Sequence, residues 1–348
     1  MKRLACLGIA ALIVSMAAIE KGSHAQSASS FAGVPSRSVK FTSIVRVPGL
    51  RSGSRELRLW IPLPYEQRYQ SISDLRIESP VPYKIDRDPA YGNRYAYLVI
   101  DAKKVTAPFD IKVSFRVKRF EHRVMLTSSR SAAGPFSAST VRFLQPDRLV
   151  PIDGQIAQVS AQQVAGTSEP LAKARKLYDY VIAAMHYDHD GTGWGRGDAV
   201  WACDSHHGNC TDFHSLFIGM ARAQGVPARF EIGFPLPRNV HAGSIPGYHC
   251  WAEFYIQGIG WIPVDASDAW NHKEQKDYFF GALDTNRIMF SMGRDIRLNP
   301  PQKGDLLNYF VYPYAELDGK PLNDLKREYF FRDDPASPGT AGSAAASS

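Results

Sequence analysis

Cys210, His249 and Asp265 are the residues whose types and settings point to nucleophilic chemistry. Cys210 lies in the run Gly208-Asn209-Cys210-Thr211-Asp212-Phe213-His214, directly after a glycine-bearing turn. Phe213, Leu216, Phe217 and Met220 follow at helical spacing and form one apolar face. Gly225 and Pro227 stop that helix. A thiol at a helix start feels the positive end of the helix dipole, which favours the thiolate, the nucleophilic form of cysteine. A lone cysteine of this kind is more often a small buried core residue, so the rest of the chain has to supply a base and something to orient it.

It supplies both. Tyr248-His249-Cys250-Trp251-Ala252-Glu253-Phe254-Tyr255-Ile256 and Trp261-Ile262-Pro263-Val264-Asp265 flank Gln257-Gly258-Ile259-Gly260. Two aromatic and β-branched runs around a glycine-bearing turn predict a β-hairpin. Side chains alternate along a strand, so His249, Trp251, Glu253 and Tyr255 share one face and Cys250 takes the other. A short loop sets Asp265 opposite residue 251 or 252, about one diagonal step from His249. An aspartate there fixes the tautomer of the imidazole and steadies its charged form, while the other ring nitrogen serves the thiol. Helix-start cysteine, strand histidine and next-strand aspartate together make a nucleophilic constellation.

The string from Gly208 to Arg229, with His249-Cys250-Trp251-Ala252-Glu253 and Trp261-Ile262-Pro263-Val264-Asp265, resembles the transglutaminase-like superfamily. The resemblance covers roughly residues 168–270. It implies a papain-like core and a Cys-His-Asp triad at Cys210, His249 and Asp265. It also implies acyl chemistry on amides, by transfer to an amine or by hydrolysis, with a protein or peptide substrate. It implies no metal or organic cofactor. Some animal relatives need calcium, and this sequence has no EF-hand-like acidic loop. One departure is Cys250, where members often carry alanine after the histidine.

An oxyanion formed on the substrate needs donors. The Cys210 N–H is the natural first one, because helix-start amides lack intrahelical partners. An indole N–H from Trp194 or Trp201 is a candidate second donor, although packing explains either tryptophan equally well. Trp251 shares the His249 face and is a candidate wall of the acyl pocket or a core residue. Asp212 reads as a first-turn helix charge, and His214, one turn after Cys210, as a helix-surface or supporting residue. Zinc is the rival chemistry, since Cys203, His206, His207, Cys210, His214 and Cys250 include ligand-like spacings. It leaves Asp265 without a role and requires Cys250 on the wrong strand face, so no metal is expected.

The elements that must position these residues follow from the rest of the chain. At 348 residues, 44% hydrophobic and 22% charged, it has room for two domains of a globular protein. Met1-Lys2-Arg3, an apolar stretch to Ile19 and Ser23-His24-Ala25 have the form of a signal peptide spanning residues 1–25, so export to the periplasm or medium is expected. No later segment is apolar for long enough to cross a bilayer, so no stable membrane insertion is expected after cleavage. Between Val39 and about Arg148, alternations such as Ile111, Val113, Phe115 and Val117 predict a β-sandwich over residues 38–150. Residues 146–168 read as the join, and Thr167-Ser168-Glu169-Pro170 as the start of a helix. The catalytic α+β core, a helix followed by an antiparallel sheet, is expected over residues 168–270. Residues 271–333 read as an extension of that core, and 334–348 as a disordered tail.

Removal of residues 1–25 leaves Cys203, Cys210 and Cys250, an odd number for an exported protein. Cys210 should be the free thiol, with Cys203 and Cys250 either bridged or separately buried. The formal charge is +7, of which Lys2, Arg3 and Lys21 less Glu20 account for +2. The surplus is spread out, with no basic run interleaved with aromatics, so no nucleic-acid partner is expected. The expected function is an exported thiol enzyme acting on amide or peptide carbonyls. The alternative is a non-enzymatic cell-envelope binding protein that retains the fold.

Overall fold

Strand alternation in the N-terminal third becomes two five-stranded antiparallel sheets. In the first, Ser36–Val47 is central, flanked by Phe109–Phe120 and by Lys326–Asp333, with Gln70–Glu78 and Ala242–Ser244 at the edges. In the second, the order is Lys320–Pro321, Tyr314–Leu317, Glu56–Pro62, Arg94–Asp101 and Tyr83–Arg87. The computed structural model describes residues 31–50, 53–105, 107–126, 134–323 and 325–334, and those from Ser36 onward form one unit. The signal-peptide expectation for residues 1–25 and all but the first residue of the expected tail at 334–348 lie outside the described residues.

Val39, Phe41 and Val45 of the first sheet and Leu57, Leu59 and Leu98 of the second belong to one buried apolar cluster. That cluster continues into the helices and the third sheet. Phe41 meets Phe234 at 5.4 Å and Phe290 at 5.4 Å between ring centroids. Full burial of such a ring contributes about 1.5–3 kcal/mol, so these contacts fasten the third sheet to the strands that precede it.

The third sheet has four strands in the order Gly260–Val264, His249–Ile256, Ala228–Pro235 and Arg287–Met292. The helix Cys210–Ala223 packs against it, with every residue from Cys210 to Arg222 buried. Gly233 is required here. A Cβ at that position would collide with the Ile288 carbonyl where the register of Ala228–Pro235 against Arg287–Met292 slips.

The helix expected from residue 170 runs Pro170–Ala184, with Ala174, Leu177, Tyr178 and Val181 buried. The join at 146–168 holds a helix as well, Gly154–Gln163. Its apolar stripe is reduced to Ile156 and Val159, too short a pattern to read from spacing. Between Gly191 and Gly208, Ala199–Ser205 forms a further helix, capped by Asp198. Residues 271–333 divide. Arg287–Met292 joins the core sheet as an extension would, whereas Tyr314–Leu317 and Lys326–Asp333 return to the two N-terminal sheets. Pairing energy decides this: the return covers edges of Ser36–Val47 and Glu56–Pro62 that would otherwise present unpaired backbone groups.

Candidate active site

The start of the Cys210 helix is fixed by a reciprocal cap. Asn209 accepts from the Thr211 N–H at 2.8 Å, and Asp212 accepts from the Asn209 N–H at 3.0 Å. Asp212 also receives the N–H groups of Gly195 and Gly197, at 2.7 and 2.9 Å. It therefore clamps the glycine-rich loop onto the helix start. Gly208, at φ 141°, clears the room that the Asp212 side chain fills. Arg294 completes the clamp from the far side, donating to Ser215 Oγ at 2.6 Å and to the Gly197 carbonyl at 3.0 Å.

The hairpin forms with Ala252 opposite Val264, so Asp265 follows one step beyond, beside the strand position of Trp251. Asp265 leaves the sheet to cap the helix Ala266–Asn271, accepting the Asp268 N–H at 2.9 Å and the Ser267 hydroxyl at 3.0 Å on Oδ1. Its Oδ2 lies 2.7 Å from His249 Nε2. The other ring nitrogen is thereby left for the thiol, and the His249 ring and the Cys210 thiol are close enough to shift one another's protonation. Cysteine, histidine and aspartate, read as separate signals from three parts of the chain, thus come together.

Burial works against ionising the Cys210 thiol, but hydrogen bonds from Cys250 and His249 and the charge of His249 outweigh it and hold the thiol well below its ordinary value. Burial also opposes the charged form of His249, and there Asp265 and Asp268 prevail and raise the imidazole well above its usual range. Asp265 is desolvated most of all, yet His249 and Arg287 keep it far below an ordinary carboxylate. These directions favour a thiolate–imidazolium pair steadied by a carboxylate.

Arg287 was not visible as a site residue in the sequence. Its guanidinium, 1% exposed, donates to Asp265 Oδ2 at 2.7 Å and to Asp268 Oδ2 at 3.1 Å. Among the described residues, His249, Asp265 and Asp268 are the one group of three with metal-ligand potential. The Arg287 guanidinium already occupies both carboxylates, which suits a fixed cation rather than a metal ion. The zinc rival's six residues divide: Cys250 and His214 lie at Cys210, with Cys250 Sγ 3.8 Å from His214 Nδ1, whereas Cys203 lies 3.7 Å from Gln155 and His207 2.8 Å from Asp188.

His214 is fully buried, which corrects the helix-surface alternative. Its Nε2 accepts the Ala266 N–H at 3.0 Å, so the proton sits on Nδ1, 2.7 Å from the Cys210 carbonyl. A neutral imidazole thus ties the Cys210 backbone to the residue after Asp265. Burial lowers its proton affinity and keeps it neutral.

Cys250 does face away from His249, as strand alternation requires, but it meets Cys210 and Thr211 rather than Cys203. All three described cysteines are free thiols, so the bridged alternative is not formed. Trp251 is fully buried and donates its indole N–H to Glu231 at 2.7 Å, which makes it a core residue and not a pocket wall. Trp201 packs edge-on to His207, and Trp194 lies 4.6 Å from His189, both half-buried on the segment leading to Cys210. Tyrosines rim the thiol instead. Tyr248 bonds Thr211 Oγ1 at 2.8 Å and carries Tyr309 and Tyr312 against its ring at 5.5 and 5.9 Å. Tyr187 packs beside Phe213 and Trp270, at 5.9 and 6.4 Å between ring centroids. Isolated tyrosines in irregular segments carry no periodic signal, which is why spacing did not find them.

Residues 157–266 match the family described as the transglutaminase-like superfamily. An uncharacterized protein of Haemophilus influenzae is 27% identical over 331 residues, covering 84% of this chain and 89% of its own. The solved structure of a candidate cysteine protease from Cytophaga hutchinsonii superposes with a TM-score of 0.61 at 16% identity, covering 86% of this chain and 98% of its own. The last similarity is one of fold.

Proposed function

Residues 157–266 carry a transglutaminase-like domain, and from that premise we propose that the protein is an exported thiol enzyme acting on amide or peptide carbonyls. The observation that carries this reading is the 2.7 Å contact of His249 Nε2 with Asp265 Oδ2, with the His249 ring beside the Cys210 thiol.

The Cys210 thiolate attacks the carbonyl carbon, and the electron pair of the C=O bond moves to oxygen. The Cys210 N–H, unpartnered within the helix, receives that oxyanion, with an indole of Trp194 or Trp201 as the second donor. The tetrahedral intermediate collapses, the C–N bond breaks, and the His249 imidazolium protonates the departing amine. Neutral His249 then takes a proton from water or an acceptor amine, whose attack on the thioester releases Cys210. Asp265 holds the ring in place throughout. The β-sandwich proposed for residues 38–150 serves as the scaffold behind the histidine strand.

The test is acyl-enzyme capture. Purified protein is mixed with peptide carboxamides and quenched in acid. Mass spectrometry is expected to find a thioester on Cys210 and none in Cys210→Ala. Rapid Cys210 alkylation with no adduct from any amide substrate would leave the envelope-binding alternative in its place.

A further inference from the structure

Beside the tyrosine rim lies an open groove of about 800 Å³, walled by Ser244, Ile245 and Pro246 on one side and by Leu325 to Phe330 on the other. Its inner end is Tyr312. That residue links the groove to the thiol: its ring packs edge-on to Tyr248 at 5.9 Å between centroids, and Tyr248 bonds the residue after Cys210. The Ser244–Pro246 wall runs into His249 three residues later. It is anchored by the Ile245 N–H on the Tyr329 carbonyl at 2.8 Å and by pairing of Ala242–Ser244 with Lys326–Asp333. The groove is therefore built from segments already fixed to the site.

Its chemistry is set by Arg327. Alternation along Lys326–Asp333 puts Arg327 on the same face as Tyr329 and Phe331, the inner face, while Lys326, Glu328 and Phe330 point outward. The Arg327 guanidinium lies 3.7 Å from the centroid of the Tyr312 ring. Stacking uses the flat face of the guanidinium and leaves its edge N–H groups for a planar anion. The adjacent acid, Glu328, also borders the groove, but it is on the outer face of the strand and is neutralised by Arg46 at 3.8 Å. No carboxylate among the described residues forms an ion pair with Arg327, which is exposed at the strand end.

We propose that the Tyr312–Arg327 shelf is a carboxylate-binding subsite, and that the preferred acyl donor is an extended peptide carrying an acidic side chain a few residues from its reactive amide. The inference rests on the reading of Cys210 as the nucleophile. Apolar contact with Ile245, Pro246 and Leu325 holds the peptide, and the Arg327 fork selects its charge. An ion-paired, bidentate contact of this kind discriminates by about tenfold to a hundredfold.

The test uses one glutamine peptide made in three versions, with glutamate, alanine or lysine at the flanking positions. Binding to full-length Cys210→Ala is read by fluorescence anisotropy, and kcat/KM by the wild-type enzyme. The glutamate peptide is expected to bind at least tenfold tighter than the lysine peptide, with alanine between them. In Cys210→Ala/Arg327→Glu the order should reverse, with an unchanged melting temperature showing that the groove is intact. Equal binding of the three peptides, no binding of any, or an order that survives Arg327→Glu would overturn the subsite. Turnover without charge preference removes the groove and leaves the mechanism standing. Charge-selective binding without acylation removes the mechanism and leaves the groove.

Discussion

His249 Nε2 and Arg287 Nη1 converge on a single oxygen of Asp265, each at 2.7 Å. The aspartate is therefore saturated: Oδ2 serves the imidazole and the guanidinium, and Oδ1 takes Ser267 and the Asp268 N–H. Arg287 is also the counter-charge for Asp268 and for Asp284, 3.1 and 3.3 Å away. It positions the orienting residue rather than touching the substrate.

Loss of Arg287 leaves three neighbouring carboxylates without their shared cation, and removing one partner of a buried pair costs about 3–5 kcal/mol. Arg287→Gln should therefore be less stable and poorly active. Arg287→Lys, which keeps the charge but not the fork, should fold and retain partial activity. Arg287 helps hold Asp265 ionised, so in Arg287→Lys the acid limb of the Cys210 alkylation profile should move to higher pH. An unchanged profile in a folded variant would make Arg287 purely structural.

The thiolate pair has its own signature. Cys210 sits well below, and His249 well above, the ordinary values. Alkylation of Cys210 by iodoacetamide should persist below pH 7, where an ordinary thiol of pKa about 8.5 is mostly protonated. His249→Ala should raise the Cys210 pKa and slow labelling by about tenfold or more at pH 6. Cys250, buried and pushed up by burial and by Cys210, should label far more slowly. Comparable labelling of Cys250 and Cys210 at pH 6 would remove the ion pair.

Cys210, His249 and Asp265 were legible because each depends on a local rule: a capped helix start, strand alternation and a short hairpin. The Ala252–Val264 register follows from the same rule. Arg287 and the Tyr248–Tyr309–Tyr312 rim were not legible, because distant segments bring them to the site and no spacing encodes the approach. Trp251 shows where a local rule stops short. Its face was read correctly, but Phe143, Leu283 and Met289 pack with Trp251 there and the cross-strand Glu231 takes its indole N–H, so it packs and bonds instead of meeting substrate. The C-terminal strands follow the same logic, since their partners lie more than two hundred residues upstream.

His214 offers a prediction about stability. It joins two buried backbone groups, the Cys210 carbonyl and the Ala266 N–H, across the interface of two helices. His214→Ala orphans the Ala266 N–H and takes a second donor from the Cys210 carbonyl, which keeps its intrahelical bond, so the cost is about 1–3 kcal/mol for the one unsatisfied group. Urea unfolding should show that loss at neutral pH. Alkylation of Cys210 should also slow, because the helix start is no longer held against the Asp265 turn. A variant with wild-type stability would mean that water takes over the Ala266 N–H.

His122 gives the fold a pH dependence that can be isolated. It lies behind the histidine strand, 5% exposed, stacked on Tyr69 at 3.8 Å and 3.4 Å from Glu253. Burial pushes its pKa down to about 4, although Glu253 pulls the other way. An unfolded histidine titrates near 6.5. Between those values the unfolded chain binds a proton that the folded chain does not. Stability contributed by His122 is therefore fully present above pH 6.5 and falls as the pH drops towards 4, by up to about 1.4 kcal/mol per pH unit. Replacing it with a side chain that does not titrate removes this term and leaves the other titrating groups in place. His122→Gln should lower stability at pH 7 through poorer packing, yet lose less than wild type on going from pH 7 to pH 5. Urea midpoints at the two pH values measure the difference. Parallel losses in wild type and variant would show that His122 is protonated in the folded protein, with Glu253 holding its charge.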